Sequence, residues 1–168
     1  MDVGNAAYAQ PPLLVEGAVW IPLANGPLTL VDESDFPQVS RHLWRVAKGY
    51  AVRTTSNGHM LSLHREILCP PIGVEVDHQN GDRLDNRRSN LRLATRAQNA
   101  KNTPRPASNT SGAKGVTWDN ARNRWKVQIR IKGQRIWLGR FTEYSAAIDA
   151  YRSAAEAHHG EFACVDDR

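Results

Sequence analysis

The chain has 168 residues, a formal net charge of +5, 40% hydrophobic residues and 23% charged residues. This composition is typical of a globular protein of one or two small domains and excludes an intrinsically disordered chain. No apolar run approaches the roughly 20 residues of a membrane-spanning helix, and the first residues lack the basic and apolar regions of a secretory signal. We therefore expect a cytoplasmic protein without a membrane partner.

The basic charge is concentrated in the C-terminal third of the chain. Residues 1–60 hold four Lys or Arg against five Asp or Glu, whereas residues 111–141 hold eight basic residues and one acid. A basic strip of this kind is typical of a protein that binds nucleic acid; an exposed charged face without a partner is the alternative. The Pro, Ser, Asn and Gly content of residues 103–111 predicts a linker between a domain over 1–102 and a second over 112–168.

The N-terminal region alternates short apolar runs with turn signals. Ala18–Leu23 and Leu28–Val31 flank an Asn-Gly pair and predict one β-hairpin, and Gly49–Arg53 and His59–Leu63 flank another such pair and predict a second. A short helix is predicted over residues 35–44. Three aromatic residues of this region are expected in the core: Trp20, Trp44 and Tyr50.

Residues 74–102 form the most distinctive polar segment. Residues 74–76 predict a short strand that ends at Asp77-His78, and a second extended run begins at Asn90. Thr95 is a good N-cap for a short helix that carries Asn99. A strand, loop, strand and helix in this order can bring four polar side chains together: Asp77, His78, Asn90 and Asn99.

These residue types are suited to metal-assisted hydrolysis of phosphodiesters. One carboxylate and one amide oxygen form a weak site for a hard cation such as Mg²⁺ or Mn²⁺, whose other positions water and phosphate oxygens can fill. A neighbouring histidine, with an ordinary pKa of about 6.5, can accept a proton from the attacking water. A surface turn is the alternative for an Asp-His pair without structural context.

Residues 45–102 resemble the HNH nucleases, in particular the phage and intron-type HNH endonucleases. The resemblance rests on His64-Arg65, Asp77-His78, Asp85-Asn86, Asn90-Leu91-Arg92 and Asn99, with the spacings between them. It implies a ββα-metal finger in which Asp77 and Asn99 hold one Mg²⁺ or Mn²⁺ ion and His78 is the general base.

The same resemblance implies roles for three further residues. Asn90 would brace the finger and orient His78. His64 and Arg65 would contact the scissile phosphate or the leaving group, or would serve the structure alone. The two cysteines, Cys69 and Cys164, cannot form the zinc-binding Cys pairs of some family members, so no zinc is expected.

Residues 112–164 have a pattern of their own. Lys114–Trp118 predicts a strand, and Arg124–Lys132 alternates strictly between apolar and polar residues. After a turn, Arg135–Gly139 predicts a third strand, and a helix follows over residues 143–158, begun by Thr142 and ended by Gly160. A three-stranded antiparallel sheet on one helix would bury the apolar face and expose the other. The exposed face would carry Lys126, Gln128, Arg130, Lys132, Arg135 and Trp137.

This region resembles the ethylene-response-factor-type (AP-two) DNA-binding domain of plants, a fold also attached to phage HNH nucleases. The resemblance rests on Lys114-Gly115-Val116, Trp125, Gln128-Ile129-Arg130, residues 135–139, Phe141 and the alanines of the helix. It implies that Gln128, Arg130, Arg135 and Trp137 contact DNA and that Lys114 grips a phosphate. Thr117 and Trp118 replace basic residues of the plant first strand, so the plant sequence preference is not carried over.

Together these patterns predict an α+β protein: a ββα-metal HNH finger with N-terminal β-hairpins, and a small three-stranded antiparallel sheet packed on one helix. The predicted function is metal-dependent hydrolysis of duplex DNA by a phage or mobile-element homing-type nuclease, without an organic cofactor. The alternative is a non-catalytic DNA-binding regulator that retains a relict finger. An RNA-binding module is disfavoured because few aromatic residues are expected on the exposed strand face.

Overall fold

A computed structural model describes residues 14–102, 105 and 108–164. The strands are β1 Ala18–Pro22, β2 Leu28–Asp32, β3 Arg45–Ala47, β4 Tyr50–Thr54, β5 Met60–Ser62, β6 Glu75–His78, β7 Leu91–Ala94, β8 Val116–Asp119, β9 Arg124–Ile131 and β10 Gln134–Phe141. The helices are α1 Phe36–Val39, α2 Leu63–Leu68, α3 Arg96–Asn99 and α4 Tyr144–His159, followed by a 3-10 turn at Gly160–Phe162. The predicted α+β class is confirmed, with several small antiparallel sheets.

The chain divides into two compact units. Unit 1 contains the residues up to Cys69 together with Asp82–Arg92, and unit 2 contains Pro70–Gly81 and the residues from Leu93 onward. In this division α3 and β6 pack on each other and both belong to unit 2, whereas the prediction places both in the domain over 1–102. The predicted linker and chain ends lie partly outside the described residues, so the domain boundaries stay a prediction.

Both predicted hairpins are present in unit 1. β1 pairs antiparallel with β2, from Ala18 opposite Asp32 to Pro22 opposite Leu28, and β4 pairs with β5. A third strand, β3, was not predicted and pairs with β4 through the two-residue turn Lys48-Gly49, whose φ angles are 53° and 81°. Positive φ at both central positions gives the turn that suits a tight hairpin.

The predicted helix over residues 35–44 is shorter in the structure. α1 ends at Val39, and Trp44 lies beyond it in the core at 1% exposure, with its indole nitrogen donating to the Val39 carbonyl at 2.8 Å. Trp44 is therefore confirmed as a core residue, whereas Trp20 and Tyr50 are partly buried.

A strand, strand and short helix follow in the predicted order. β6 and β7 form a two-stranded sheet, and Thr95 caps α3 as predicted. The cap is reciprocal, because Gln98 N donates to Thr95 Oγ1 at 3.3 Å and Thr95 N donates to Gln98 Oε1 at 2.8 Å. The predicted order of strand, strand and helix is thus observed. That this unit is a ββα-metal finger is part of the function proposed below.

The three-stranded sheet packed on one helix is confirmed in the C-terminal part of unit 2. β9 lies between β8 and β10, and α4 packs on the apolar face of the sheet. The core residues are Ala113, Val116, Val127, Ile129, Ala147, Tyr151 and Ala155. The N-cap of α4 is Glu143 rather than Thr142, and Gly160 ends the helix as predicted with φ 55°.

Neither Cys69 nor Cys164 forms a disulfide. Among the described residues, no helix has both the length and the apolar character that crossing a membrane requires.

Candidate active site and nucleic-acid interface

The Asp77-His78 pair lies at the end of β6 and is almost fully buried. Asp77 is 5% exposed and His78 is 4% exposed. Side chains alternate along a strand, so Glu75 and Asp77, two residues apart, belong to one face of β6. A buried carboxylate is stable only when hydrogen-bond donors or a cation compensate its lost hydration. The groups that face Asp77 therefore define this site.

Two asparagines of the α3 region donate to these two acids. Asn99 Nδ2 donates to Glu75 Oε2 at 2.7 Å. Asn102 Nδ2 lies 3.0 Å from Asp77 Oδ1 and 3.1 Å from Asp77 Oδ2. Residues three apart on a helical turn share a face, as residues two apart on a strand do. One face of the α3 turn therefore packs on one face of β6, and two side-chain pairs join them: Asn99 with Glu75 and Asn102 with Asp77.

The sequence predicts Asp77 and Asn99 as the two ligands of one metal ion, and the structure shows a protein hydrogen bond to each of them. Asp77 and Asn99 lie on the two facing elements, and in the structure Asn99 donates to Glu75 whereas Asn102 donates to Asp77. Sequence reasoning missed Glu75 and Asn102. The signal that was available is the spacing itself, an acid two residues before Asp77 and an amide three residues after Asn99.

Asn90 and the preceding loop belong to unit 1. Asn90 is 6% exposed, and its Nδ2 donates to the Asp85 carbonyl at 2.7 Å, so it braces the turn that leads into β7. Asn86 is fully buried and donates to Thr29 Oγ1 at 2.8 Å. The loop is thereby fixed to β2. The predicted action of Asn90 on His78 stays a prediction.

Two arginines of this loop form ion pairs, one within the loop and one with the residue before α1. Arg87 makes a two-bond ion pair with Asp85 at 2.8 and 2.7 Å, and Arg88 makes one with Asp35 at 2.9 and 2.7 Å. These hydrogen bonds raise the pKa of each guanidinium. Paired, hydrogen-bonded guanidinium groups hold a loop more specifically than a lysine would. The structure thus gives Asp85-Asn86 a scaffolding role.

His64 and Arg65 lie in the first turn of α2 in unit 1. His64 is 7% exposed, and its ring centroid is 5.2 Å from that of Tyr50. The Arg83 guanidinium stacks over Tyr50 at 4.7 Å. Arg65 is half-buried. This packing accounts for His64 as a structural residue, and the phosphate-contact role of the pair stays a prediction.

The donor set on β6 and α3 fits a hard cation. Among the described residues, no three His, Cys, Asp or Glu side chains are gathered to hold a metal between them, so a closed protein cage is not formed there. Asp77 offers carboxylate oxygens at this place, and Asn102 Nδ2 donates to them. The hydrogen bond from Asn99 Nδ2 to Glu75 directs the amide nitrogen to that acid. The amide oxygen of Asn99 therefore points away from Glu75. Oxygen donors of these two kinds suit Mg²⁺ or Mn²⁺.

The polar face of the C-terminal sheet carries the predicted DNA-contacting residues. In the strand register Arg130 lies opposite Arg135, and Gln128 lies opposite Trp137. Like charges directly opposite each other on one face destabilise a sheet, so this pair favours an anionic partner. Trp137 is 49% exposed. Arg130, Lys132 and Arg135 are exposed, whereas Lys126 and Gln128 are half-buried.

Arg140 belongs to the same face and was not predicted there. A register shift between Trp137 and Gly139 places Arg140 opposite Lys126, because a β-bulge resets the alternation of side chains. Its guanidinium lies 4.8 Å from the Trp137 ring and 3.3 Å from Asp119 Oδ2. Burial acts to raise the pKa of Asp119, but the hydrogen bond from Arg140 and the charges of Arg122 and Arg140 outweigh it and lower that pKa.

Lys114 is placed differently from the residues of the sheet face. It precedes β8 and is half-buried, and its Nζ donates to the Lys101 carbonyl at 3.1 Å. Burial lowers the pKa of its ammonium group. The geometry therefore supports a packing role for Lys114, and its predicted phosphate contact stays a prediction.

Comparison with known proteins assigns this chain to a family. The model of the HNH endonuclease family matches residues 69–101, which include β6, β7 and α3, and Asn102 is the first residue beyond the match. An uncharacterized HNH endonuclease of Acanthamoeba polyphaga mimivirus is 31% identical over 160 residues, which cover 89% of this chain and 82% of that protein. The chain belongs to the HNH endonuclease family.

A second relative is Protein 3.8 of Escherichia phage T7. It is 34% identical over 93 residues, which cover 55% of this chain and 76% of the phage protein. No solved structure shows significant similarity to the chain.

Proposed function

We propose that the protein is a divalent-metal-dependent endonuclease that hydrolyses phosphodiester bonds in duplex DNA. The observation that carries the proposal is the buried Asp77-His78 pair at the end of β6, faced by the asparagines of the α3 turn. This pair lies within the segment matched by the HNH endonuclease model. The viral origin of both relatives supports a phage or mobile-element nuclease of the homing type that acts in the host cytoplasm.

In the proposed site, Asp77 and Asn99 hold one Mg²⁺ or Mn²⁺ ion through a carboxylate and an amide oxygen. Bound there, the ion would polarise the scissile phosphate and stabilise the charge that develops on the leaving oxygen. Glu75 holds the Asn99 amide nitrogen, so the amide oxygen is turned to the opposite side. No zinc and no organic cofactor enter the proposal.

His78 is the proposed general base. A neutral imidazole nitrogen can take a proton from the water that attacks the phosphorus atom. Burial of the ring at 4% exposure restricts its rotation, and Asn90 is proposed to fix its orientation. His64 and Arg65 are proposed to contact the phosphate or the leaving group.

The C-terminal sheet is proposed to bind the DNA as an AP-two-like domain. Guanidinium groups read guanine edges and phosphates, and a flat ring contacts sugar or base. The supporting observation is the exposed face formed by Arg130, Arg135 and Trp137 in register. Lys114, Lys126, Gln128 and Lys132 complete the proposed set.

A plasmid assay tests this proposal. Purified full-length protein is incubated with supercoiled plasmid in Mg²⁺, in Mn²⁺ and in excess EDTA, and the products are separated on an agarose gel. We expect nicked or linear plasmid with either ion and none with EDTA. Cleavage in EDTA would contradict the metal dependence.

The second candidate is a DNA-binding regulator with a relict finger. One observation favours it: the Asp77 carboxylate and the Asn99 amide both have protein partners, as residues of a purely structural site would. The same assay separates the two functions, because the regulator would shift the plasmid in a binding gel without cutting it in either ion.

A further inference from the structure

Asn102 occupies a position from which one amide group reaches both residues of the Asp77-His78 pair. It is 6% exposed, and its backbone nitrogen donates to the Asn99 carbonyl at 3.1 Å, so the chain continues the α3 turn up to this residue. Its Nδ2 lies 3.0 and 3.1 Å from the two Asp77 carboxylate oxygens and 2.8 Å from the His78 carbonyl oxygen.

The chemistry of these three contacts fixes the orientation of the amide. All three partners are oxygen acceptors, and the amide nitrogen carries two protons. One proton is shared between the two oxygens of Asp77, and the other is donated to the His78 main chain. The reversed amide would put its own oxygen against three oxygens and would leave the buried carboxylate without this donor, which is costly.

We infer that Asn102 is a positioning residue of the nuclease site, an inference that rests on the proposed function. Its amide nitrogen sets the plane of the Asp77 carboxylate and the path of the main chain at His78. Because the amide nitrogen is a neutral donor, this hydrogen bond leaves the carboxylate with the negative charge that a divalent cation requires. The same hydrogen bond compensates part of the hydration that the buried Asp77 carboxylate has lost, before any cation binds.

The test measures Mn²⁺ binding to the full-length protein without DNA. Free Mn²⁺ is followed by its electron paramagnetic resonance signal during titration of wild type, Asn102→Ala, Asp77→Ala and Asn57→Ala. Asn57 is the matched control, since it is an exposed asparagine in the turn before β5. Losing a group that orients a metal ligand typically weakens metal binding by about 10- to 100-fold, and we expect this loss in Asn102→Ala, no binding in Asp77→Ala and no change in Asn57→Ala.

A second variant separates positioning from mere structural support. Asn102→Asp keeps the side-chain volume but removes both donated protons and places a second carboxylate beside Asp77. Like charges repel until a cation lies near them. We expect a lower thermal midpoint without metal and a larger rise of that midpoint on adding Mn²⁺ than in wild type. A structural role alone would give the lower midpoint with the wild-type rise, and that result would overturn the inference.

The outcomes distinguish this inference from the proposed function. Wild-type Mn²⁺ affinity in a folded Asn102→Ala, with binding lost in Asp77→Ala, would overturn the role of Asn102 and leave the nuclease proposal intact. Undiminished binding in Asp77→Ala, or none in wild type, would overturn the proposed metal site and the inference with it. If Asn102→Ala fails to fold, Asn102→Asp decides the question through its thermal shift.

Discussion

Asn99 donates its amide nitrogen to Glu75 Oε2 at 2.7 Å, across the interface between α3 and β6. Glu75 stands two residues before Asp77 on the same face of the strand. When a carboxylate accepts a hydrogen bond from the nitrogen of an amide, it also fixes the direction in which the amide oxygen points. Glu75 is therefore placed to control the presentation of a proposed metal ligand, although it is not itself proposed as one.

Glu75→Ala should raise the Mn²⁺ concentration needed for half-maximal plasmid cleavage by roughly 10-fold, because Asn99 loses the group that orients it. Glu75→Gln keeps an oxygen acceptor and removes the charge, so it should recover most of the wild-type value. Metal titrations of the cleavage rate measure both effects. Equal loss in the two variants would show that the charge of Glu75 matters rather than its hydrogen bond.

His78→Ala should abolish metal-dependent cleavage while DNA affinity stays near wild type, because the imidazole is the proposed proton acceptor and the proposed binding face is on the C-terminal sheet. Plasmid cleavage and a mobility-shift titration are measured on the same preparation. Cleavage at the wild-type rate would remove His78 as the base. Loss of both cleavage and binding would indicate that the variant is misfolded.

The sequence predicted the elements of this site better than the contacts between them. Thr95 was predicted as an N-cap and forms a reciprocal cap, since capping depends on residues only three positions apart. The pairing of Asn102 with Asp77 depends on how the α3 turn meets β6, which the sequence indicates only through the spacing of the two acids and the two asparagines. The sequence therefore predicted the strand and the capped turn, but not the hydrogen bonds that join them.

Two other misses have equally local causes. β3 was not predicted because its turn uses Lys48 at φ 53°, a conformation that residues other than glycine, asparagine and aspartate rarely adopt. Arg140 was not assigned to the polar face because the irregularity after Trp137 breaks the two-residue alternation. A single extra residue in a strand reverses the faces of all residues after it.

Arg135→Ala should weaken binding to duplex DNA by about 1–3 kcal/mol, as expected for a guanidinium that contacts a base or phosphate. Its removal also relieves the repulsion with Arg130 opposite, so the thermal stability should stay equal or rise slightly. Arg152→Ala is the control, because Arg152 is exposed on α4 beside Asp149. Mobility shifts at two salt concentrations measure the affinities, and equal binding by both variants would show that the sheet face does not contact DNA.

Gly115→Ala should destabilise the C-terminal sheet and helix by about 3 kcal/mol. A Cβ at this position would lie 2.2 Å from the Tyr151 ring and 2.5 Å from the Gln128 carbonyl oxygen, at a φ of +74°. Gly133 has a similar φ of +83° but nothing within 4 Å, so Gly133→Ala should cost only about 1 kcal/mol of backbone strain. Urea unfolding of both variants measures the difference, and similar losses would mean that α4 does not pack on Gly115.

The C-terminal core should lose stability in alkaline solution through Tyr151. Burial raises the pKa of its hydroxyl from 10.0 to about 12, so the folded state favours the neutral form. A group whose pKa is raised on folding contributes full stability below its unfolded pKa and loses it as the pH rises through its folded pKa. The loss should therefore run from about pH 10 to about pH 12. Urea unfolding of wild type and Tyr151→Phe on both sides of this interval measures it, and the variant should lose less stability across the interval than wild type; equal losses would show that another group is responsible.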